Sequence, residues 1–212
     1  MKQVQGIWLP DGDNHFARMM KKEPARMYHG KPVGVYQHFK IEKALGYVDH
    51  RRTALDIGAH VGFWSMWLSQ EFESVYAFEP SQSHAECFGR NVIADNVSLY
   101  PFAVGAKQGA SGMTLDPENS GKACLSEGSQ IQIVTIDSFD FHDVDLIKID
   151  VEGYESEVLQ GARETIKRCG PVVVFEDNGQ HERYGFKNPH AVAKSMGLKE
   201  LAQMGKDWIY QC

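Results

Sequence analysis

The stretch that decides the fold runs from Thr53 to Pro80 and reads T-A-L-D-I-G-A-H-V-G-F-W-S-M-W-L-S-Q-E-F-E-S-V-Y-A-F-E-P. An apolar run enters a turn that carries Gly58 and Gly62, and a helix-like segment follows. A second apolar run then ends in the acid Glu79. This order is typical of a nucleotide-binding α/β unit, because glycines let the backbone approach a ligand and an acid about 20 residues later can bind ribose hydroxyls.

Two details of the turn indicate which nucleotide it binds. The middle glycine of G-x-G-x-x-G is missing, because Ala59 and His60 stand there, and Asp56 precedes Gly58 by two positions. Both details point away from a dinucleotide and towards S-adenosylmethionine (SAM). Asp56 either accepts hydrogen bonds from the N–H groups of the turn or meets the ammonium group of the ligand.

Composition and charge restrict the class of protein. The chain has 212 residues, 42% of them hydrophobic, and a net charge of −6, which predicts a globular protein that nucleic acid or an anionic membrane does not attract. No C-x-x-C pair, no signal-peptide-like start and no run of 18 apolar residues occurs. We therefore expect reduced thiols, no membrane span and a cytoplasmic location.

The chain divides into two parts by composition. Residues 1–50 hold Pro10, Pro24 and Pro32 and show one plausible helix, at 37–45, so we interpret them as an N-terminal cap or substrate lid. Residues 51–212 alternate apolar strands with helices, which predicts an α/β domain with a mostly parallel sheet and helices on both faces. Predicted strands are 54–57, 75–78, 97–100, 131–136, 146–150, 172–175 and 208–210; predicted helices are 61–68, 83–93, 154–167 and 189–196; and 106–128 is a loop or loose hairpin.

In open α/β sheets, the ligand lies beyond the carboxyl ends of the strands, so the residues there are the site candidates. The predicted cofactor-binding residues are Asp56, Gly58, Ala59, His60, Gly62, Glu79, Pro80, Phe102, Ala103 and Asp150. The predicted catalytic residues are Asp150, Glu152 and Glu176. Acids and glycines that collect at one edge of a sheet contribute nothing to a purely structural sheet, and this favours a functional site.

Two acidic motifs follow the later strands. In K-I-D-V-E-G-Y-E, Lys148 to Glu155, three carboxylates repel one another unless they meet a cation, a ligand or a helix N-terminus. Glu155 suits the start of the following helix, which leaves the other two acids for the active centre. In F-E-D-N, Asp177 and Asn178 are hard oxygen ligands that could form a Mg²⁺ site with Asp150. The alternative is that Glu176 or Asp177 orients the substrate or caps the loop.

Together these residues resemble the FkbM family of SAM-dependent methyltransferases. The matching pieces run in order from Leu55 to Glu176 and read L-D-I-G-A-H-V-G, A-F-E-P, A-V-G, T-I-D-S-F, L-I-K-I-D-V-E-G-Y-E, V-L-Q-G-A and V-V-F-E. The resemblance implies that residues 51–212 form a SAM-binding domain with a Rossmann-like class I methyltransferase sheet. It also implies O-methylation of a hydroxyl, often on a sugar or secondary metabolite. It also implies cofactor roles for Asp56, Gly58, Glu79 and the 102–103 turn. His60 stands where such turns often carry Asn, and Phe102 stands where an amide or acid often meets adenine, so adenine recognition would rest on Ala103 backbone groups and apolar contact.

Methyl transfer to an aliphatic hydroxyl needs in-line alignment and a base or a metal. The first-choice base is Glu152 or Asp150, with Glu176 next, and the expected partner is a small-molecule or sugar hydroxyl acceptor. The rival hypotheses are an NAD(P)-dependent oxidoreductase, a nucleic-acid methyltransferase and a non-catalytic methyltransferase-like binding module. The missing middle glycine disfavours the first, and the acidic charge disfavours the second.

Overall fold

A computed structural model describes residues 1–212. The N-terminal part contains two small antiparallel hairpins and two helices: β1 (Lys2–Val4), β2 (Ile7–Leu9), α1 (Asn14–Met20), β3 (Ala25–Tyr28), β4 (Lys31–Gly34) and α2 (His38–Leu45). The remainder begins with β5 (Thr53–Ile57), α3 (Ser65–Glu71), β6 (Ser74–Phe78), α4 (Gln82–Asn91), β7 (Val97–Tyr100), β8 (Ala103–Val104), β9 (Gly109–Thr114) and β10 (Cys124–Val134). It ends with β11 (Val144–Ile149), α5 (Glu155–Gly161), α6 (Arg163–Cys169), β12 (Val172–Glu176), α7 (Gln180–Arg183), α8 (Pro189–Ser195), β13 (Lys199–Met204) and β14 (Asp207–Gln211).

Seven strands form the main sheet in the order β13-β14-β12-β11-β5-β6-β7. The five from β12 to β7 are parallel, and β14 and β13 add to one side as antiparallel strands. Ile57 of β5 lies opposite both Phe78 of β6 and Ile149 of β11. These three strands therefore end level with one another, and the residues that follow them meet at one edge. The predicted α/β fold with a mostly parallel sheet is confirmed.

The sheet is covered on both faces, as its sequence requires. Every residue of β11 is buried, which is typical of a parallel strand between two helical layers. Alternate residues of the strands point to opposite faces: Leu146 packs with α3 and the N-terminal elements, and Ile147 packs with α5, α6 and α8.

Residues 1–50 are more structured than the sequence predicts. The expected helix is present as α2, but α1 and both hairpins went unrecognised, because a helix of seven residues and strands of three or four residues leave too short a periodic pattern. Ile7, Leu9 and Met20 are fully buried in the core that also contains the apolar face of α3. The N-terminal part therefore shares the hydrophobic core of the sheet, and the predicted boundary at residue 50 stays a prediction.

Two further predictions changed in detail, and two elements were missed. The helix predicted at 154–167 is two helices, α5 and α6, because the chain breaks at Ala162, whose backbone leaves the helical region. The segment 106–128 forms the antiparallel β9–β10 hairpin, with a register shift between Ser126 and Ile131. Strand β13 and the short α7 were not predicted at all. None of the helices has both the length and the apolar character needed to cross a membrane.

Candidate functional site

A cleft of about 960 Å³, its mouth included, opens at the carboxyl edge of the parallel strands. Such an edge is where α/β sheets bind ligands, and the volume suits a small-molecule site. The predicted site residues that line it are Gly58, Ala59, His60, Glu79, Pro80, Phe102, Ala103, Asp150, Glu152 and Glu176. The predicted residues outside the lining are Asp56, Gly62, Asp177 and Asn178. Most of the predicted set thus comes together in one place.

The two glycines of the first turn have different roles. Gly58 has a φ of +74°, and a Cβ built on it would lie 1.9 Å from the carbonyl oxygen of Asp150, so only glycine lets these two strand ends approach so closely. Gly62 has a φ of +93°, and a Cβ there would lie 2.5 Å from Val92 and 3.1 Å from Phe88. The first glycine therefore shapes the wall of the cleft, and the second allows the turn to pack against α4.

Asp56 lies beneath the cleft rather than in its wall. Its carboxylate is fully buried, lies 3.1 Å from the ammonium of Lys148 and accepts a 2.6 Å hydrogen bond from Ser65. Lys148 also donates to the carbonyl oxygen of Gly58 at 2.8 Å. Burial lowers the pKa of Lys148, but the nearby Asp56 and Asp150 carboxylates raise it more, so the group stays charged. Asp56 thus contacts the side chains of Lys148 and Ser65 rather than the N–H groups of the turn, and its contact with a ligand stays a prediction.

Glu79 is buried at the end of β6 and is held from three sides. Its Oε1 accepts from the N–H of Ser81 at 2.9 Å and lies 3.2 Å from Nδ1 of His84. Its Oε2 accepts from the N–H of His60 at 2.9 Å. A carboxylate oxygen has two acceptor positions, so Oε2 retains one for a further donor in the cleft.

His60 combines backbone strain with an anchored side chain. Its φ of +53° lies in the left-handed region, which is unusual for a residue with a side chain and recurs at functional sites. Its Nε2 lies 2.6 Å from Oγ of Ser120, which reaches it from the loop of the β9–β10 hairpin. Burial lowers the pKa of His60 well below its ordinary value, and the neighbouring His84 and Lys148 lower it further. The imidazole is therefore neutral.

Three acids converge where β11 and β12 end. Burial, together with the negative charge of Asp150, raises the pKa of both Glu152 and Glu176 to about 7. Glu152 also has a φ of +54° and accepts from Nδ2 of Asn178 at 3.0 Å and from the amide of Gln180. Carboxyl groups that titrate near neutral pH in a cleft are candidates for proton transfer.

Glu155 lies outside this group. Its carboxylate is buried, accepts from the N–H of Gly153 at 3.0 Å, and stands in the first turn of α5, as the helix interpretation expects. Burial raises its pKa to about 7, and the Gly153 hydrogen bond opposes that shift. Its role is structural: it satisfies the turn that carries Glu152 and Gly153.

The structure does not support the predicted Mg²⁺ site. Asp177 does not face the cleft: its carboxylate lies 3.2 Å from His181 Nδ1 and 3.1 Å from His190 Nε2. Asn178 points its amide nitrogen, a donor, towards Glu152. No group of three or more His, Cys, Asp or Glu side chains is placed to hold a metal ion. Asp177 and Asn178 lie close to the cleft because they follow an adjacent strand. Their polar contacts, however, direct Asp177 towards two histidines and the Asn178 amide nitrogen towards Glu152.

Much of the remaining lining went unrecognised in the sequence. Residues 1–50 supply Phe16, Tyr36 and Gln37, and the β9–β10 hairpin supplies Met113, Ser120, Gly121, Ala123, Cys124 and Leu125. Neither segment carries a motif, because these positions come together only in the folded chain. Lys148 differs from these residues, because its position does carry a signal in the sequence. A lysine inside an apolar strand requires a buried partner.

Comparison with solved structures agrees with this architecture. A precorrin-6y C5,15-methyltransferase from Geobacter metallireducens superposes with a TM-score of 0.52 at 14% identity, covering 99% of this chain and 98% of that one. A Streptococcus mutans protein solved in complex with S-adenosylhomocysteine (SAH) gives 0.50 at 11% identity, with 82% and 96% covered. At these identities the likeness concerns the fold alone. The sheet order and the cleft therefore define a class I methyltransferase fold.

The family follows from the sequence. The profile of the methyltransferase FkbM domain matches residues 56–205, so the chain belongs to the FkbM methyltransferase family. A methyltransferase FkbM from Methylobacillus flagellatus superposes with a TM-score of 0.51 at 16% identity. The alignment covers 79% of this chain and 45% of that one, so this chain spans less than half the length of that protein. No curated protein sequence matches significantly.

Proposed function

We propose that this protein transfers the methyl group of SAM to a hydroxyl oxygen of a neutral sugar or small metabolite. The observation that carries the proposal is one cleft holding both halves of such a site. Glu79 retains a free acceptor position on one side of it. On the other side, the pKa of Glu152 and of Glu176 is raised to about 7.

The residues at the ends of β5 and β6 fit the cofactor. Gly58 lets the ends of β5 and β11 approach each other in the cleft wall, and Oε2 of Glu79 can accept from a ribose hydroxyl. Phe102 and Ala103 line the same cleft and offer apolar contact and backbone groups to an adenine ring. The family match and the SAH-bound protein of the same fold agree with this use of the cleft.

When bound, SAM supplies an electrophilic methyl group, whose transfer breaks a C–S bond, forms a C–O bond and releases the hydroxyl proton. Glu152 or Glu176 would accept that proton, because a base with a pKa near 7 is partly ionised at neutral pH and still basic enough to take it. The negative charge of Asp150 acts on both residues, because it raises the pKa of each. Sixteen of the 28 lining residues are hydrophobic, which helps to exclude water from the reacting groups.

The charges in the cleft favour a neutral acceptor. Lys148 is the one lysine or arginine in the lining, and Asp56 and the Gly58 carbonyl already occupy its ammonium. A phosphorylated or carboxylated acceptor would meet the lining acids without a free cation to offset them. We therefore place neutral hydroxyl compounds ahead of anionic ones.

An assay with isotopically labelled SAM tests the proposal. The acceptors are neutral methyl glycosides and phenolic or polyketide alcohols, each beside a phosphorylated counterpart, with Mg²⁺ in one series and EDTA in the other. We expect methyl transfer to a neutral hydroxyl, lost by 100-fold or more in Glu152→Gln or Glu176→Gln, because a positioned base contributes about 10²–10⁴. Glu157→Gln, outside the cleft, is the control. Transfer to nitrogen or to anionic acceptors alone would contradict the proposal.

A further inference from the structure

A chain of hydrogen bonds joins three separate segments at the rim of the cleft. Asp13, which precedes α1, accepts from the N–H of Ser120 at 3.1 Å and from the Ser120 hydroxyl. The same hydroxyl oxygen lies 2.6 Å from Nε2 of His60. Asp13 is fully buried and Ser120 is 5% exposed, so water does not compete for these bonds. The N-terminal part, the hairpin loop and the first turn are thereby linked.

Neighbouring backbone bonds reinforce the link. The N–H groups of Asn14 and His15 both donate to the carbonyl oxygen of Glu118, at 3.1 and 3.2 Å. Asp13 also accepts from the N–H of Phe16 at 2.8 Å and so caps α1. These bonds fix the position of Ser120 relative to the N-terminal part, independently of its contact with His60.

The number of protons available in the Asp13–Ser120–His60 hydrogen bonds determines the tautomer of His60. A carboxylate only accepts hydrogen bonds, so the single hydroxyl proton of Ser120 goes to Asp13. The Ser120 oxygen is then an acceptor towards His60, and Nε2 of the neutral imidazole must carry the proton. Nδ1 is left buried without a hydrogen-bond partner. It is a bare acceptor, which is less costly to bury unpaired than an N–H donor.

The other groups around the His60 ring pack against it but form no hydrogen bond with it. His84 and the aromatic rings of Phe16 and Phe63 pack against it, with centroids 4.4, 5.0 and 5.5 Å away. The charge of Lys148 acts on His60 from nearby without a hydrogen bond. Ser120 thus makes the only directional contact with the imidazole, and that contact opposes the strain of the left-handed backbone at this residue.

We propose that Ser120 and Asp13 are positioning residues that act through His60 on Glu79. The anchored ring keeps the strained His60 backbone in place, and the N–H of that backbone holds Oε2, the oxygen of Glu79 with a free acceptor position. The N-terminal part and the hairpin loop, which also line the cleft, would thereby contribute to cofactor affinity through Glu79. This inference rests on the proposed binding of SAM in the cleft.

The test compares Ser120→Ala with Ser111→Ala. Ser111 lies in the same hairpin, donates one hydrogen bond to the carbonyl of Ser126 at 2.7 Å and lies outside the cleft lining. Loss of one positioning hydrogen bond should weaken the dissociation constant for SAM three- to tenfold in Ser120→Ala and less than twofold in Ser111→Ala. Titration calorimetry gives both constants, and a thermal melt establishes that both variants are folded.

Nitrogen-15 NMR of the wild-type histidine rings gives a second readout that needs no stable variant. His60, assigned by the loss of its signals in His60→Gln, should be a single neutral tautomer with the proton on Nε2 at pH 7. A proton on Nδ1, a charged ring, or equal SAM affinity in Ser120→Ala and the wild type would overturn this inference alone. Failure of the wild type to bind SAM would overturn the proposed function together with it.

Discussion

The ammonium of Lys148 in β11 lies 3.1 Å from the carboxylate of Asp56 in β5 and donates to the carbonyl oxygen of Gly58 at 2.8 Å. Both charged groups are buried, and they stand directly opposite each other in the parallel ladder. The pair therefore fixes the glycine turn to the neighbouring strand from below, which leaves the upper face of the turn free for a ligand.

Breaking this pair should destabilise the whole fold. Lys148→Met leaves the Asp56 carboxylate buried without its cation, and the expected loss in the free energy of unfolding is about 3–5 kcal/mol. Urea denaturation measures it. The control is Lys122→Met, which removes an exposed lysine 4.0 Å from Asp116 and should change stability by less than about 1 kcal/mol. Equal losses in the two variants would contradict the role of Lys148.

Gly58→Ala should be far more damaging than its backbone angle alone explains. Its added methyl group would lie 1.9 Å from a backbone oxygen of Asp150, whereas a methyl group on Gly30, with nearly the same φ of +77°, meets nothing within 4 Å. We expect Gly30→Ala to lose about 1 kcal/mol of stability and Gly58→Ala at least about 3 kcal/mol. Thermal melts of the pair separate the clash from the strain. Similar losses would mean that the close approach is unimportant.

The local pattern in the sequence was sufficient for the central fold. The two strands that were predicted to be buried from their apolar runs, β11 and β12, are buried almost throughout, because such a run has no alternative to burial between two layers. Strand β13 was missed because it lies at the edge and reads K-E-L-A-Q-M, with four of its six residues exposed. Residues 1–50 were missed because their core contacts come from separate short elements rather than from a periodic pattern.

The candidate site, like the fold, could be predicted from the sequence only in part. The acids at strand ends were predictable, because parallel strands bring their carboxyl ends to one edge whatever the side chains are. The direction of a side chain was not predictable from its position: Asp177 turns towards two histidines, and Asp56 towards Lys148. Ser120 belongs to a loop whose sequence carries no motif, and only the folded hairpin brings it to His60.

The raised pKa of Glu152 predicts a pH-dependent difference in stability between the wild type and Glu152→Gln. The folded pKa, about 7, exceeds the unfolded value of 4.5, so the folded state binds more protons between these pH values and loses stability as pH rises through them. Its neighbours Asp150, Glu155, Asn178 and Gln180 remain in both proteins.

We expect the two proteins to melt together at pH 4.5 and Glu152→Gln to be more stable at pH 8. The expected gain in the free energy of unfolding is about 1–2 kcal/mol after allowance for solvent screening. Each kcal/mol should raise the melting temperature by roughly 2–4 °C. Glu182→Gln, at an exposed position, should show no such pH dependence. A gain of the same size at pH 4.5 would refute the raised pKa.

The same acids should limit activity at low pH. A base with a pKa of about 7 must be ionised to accept the hydroxyl proton, so kcat/KM should fall about tenfold for each pH unit below 6. For Glu176, burial raises the pKa most, the carboxylates of Asp150, Asp207 and Glu152 raise it further, and Lys40 lowers it. Whichever of Glu152→Gln and Glu176→Gln abolishes the acid limb identifies the base. A flat profile from pH 5 to 8 would exclude both residues.

Titration calorimetry of SAM into the wild type and Glu79→Ala tests the central claim most directly. Glu86→Ala, which removes an exposed acid from α4, is the matched control, and NADH is the control ligand. Loss of a charged hydrogen-bond partner of the ribose should weaken binding by about 1.5–3 kcal/mol, a tenfold or greater effect. The account predicts SAM binding to the wild type and Glu86→Ala, at least tenfold weaker binding to Glu79→Ala, and no NADH signal. Binding of NADH without SAM, or equal SAM affinity in all three proteins, would contradict it.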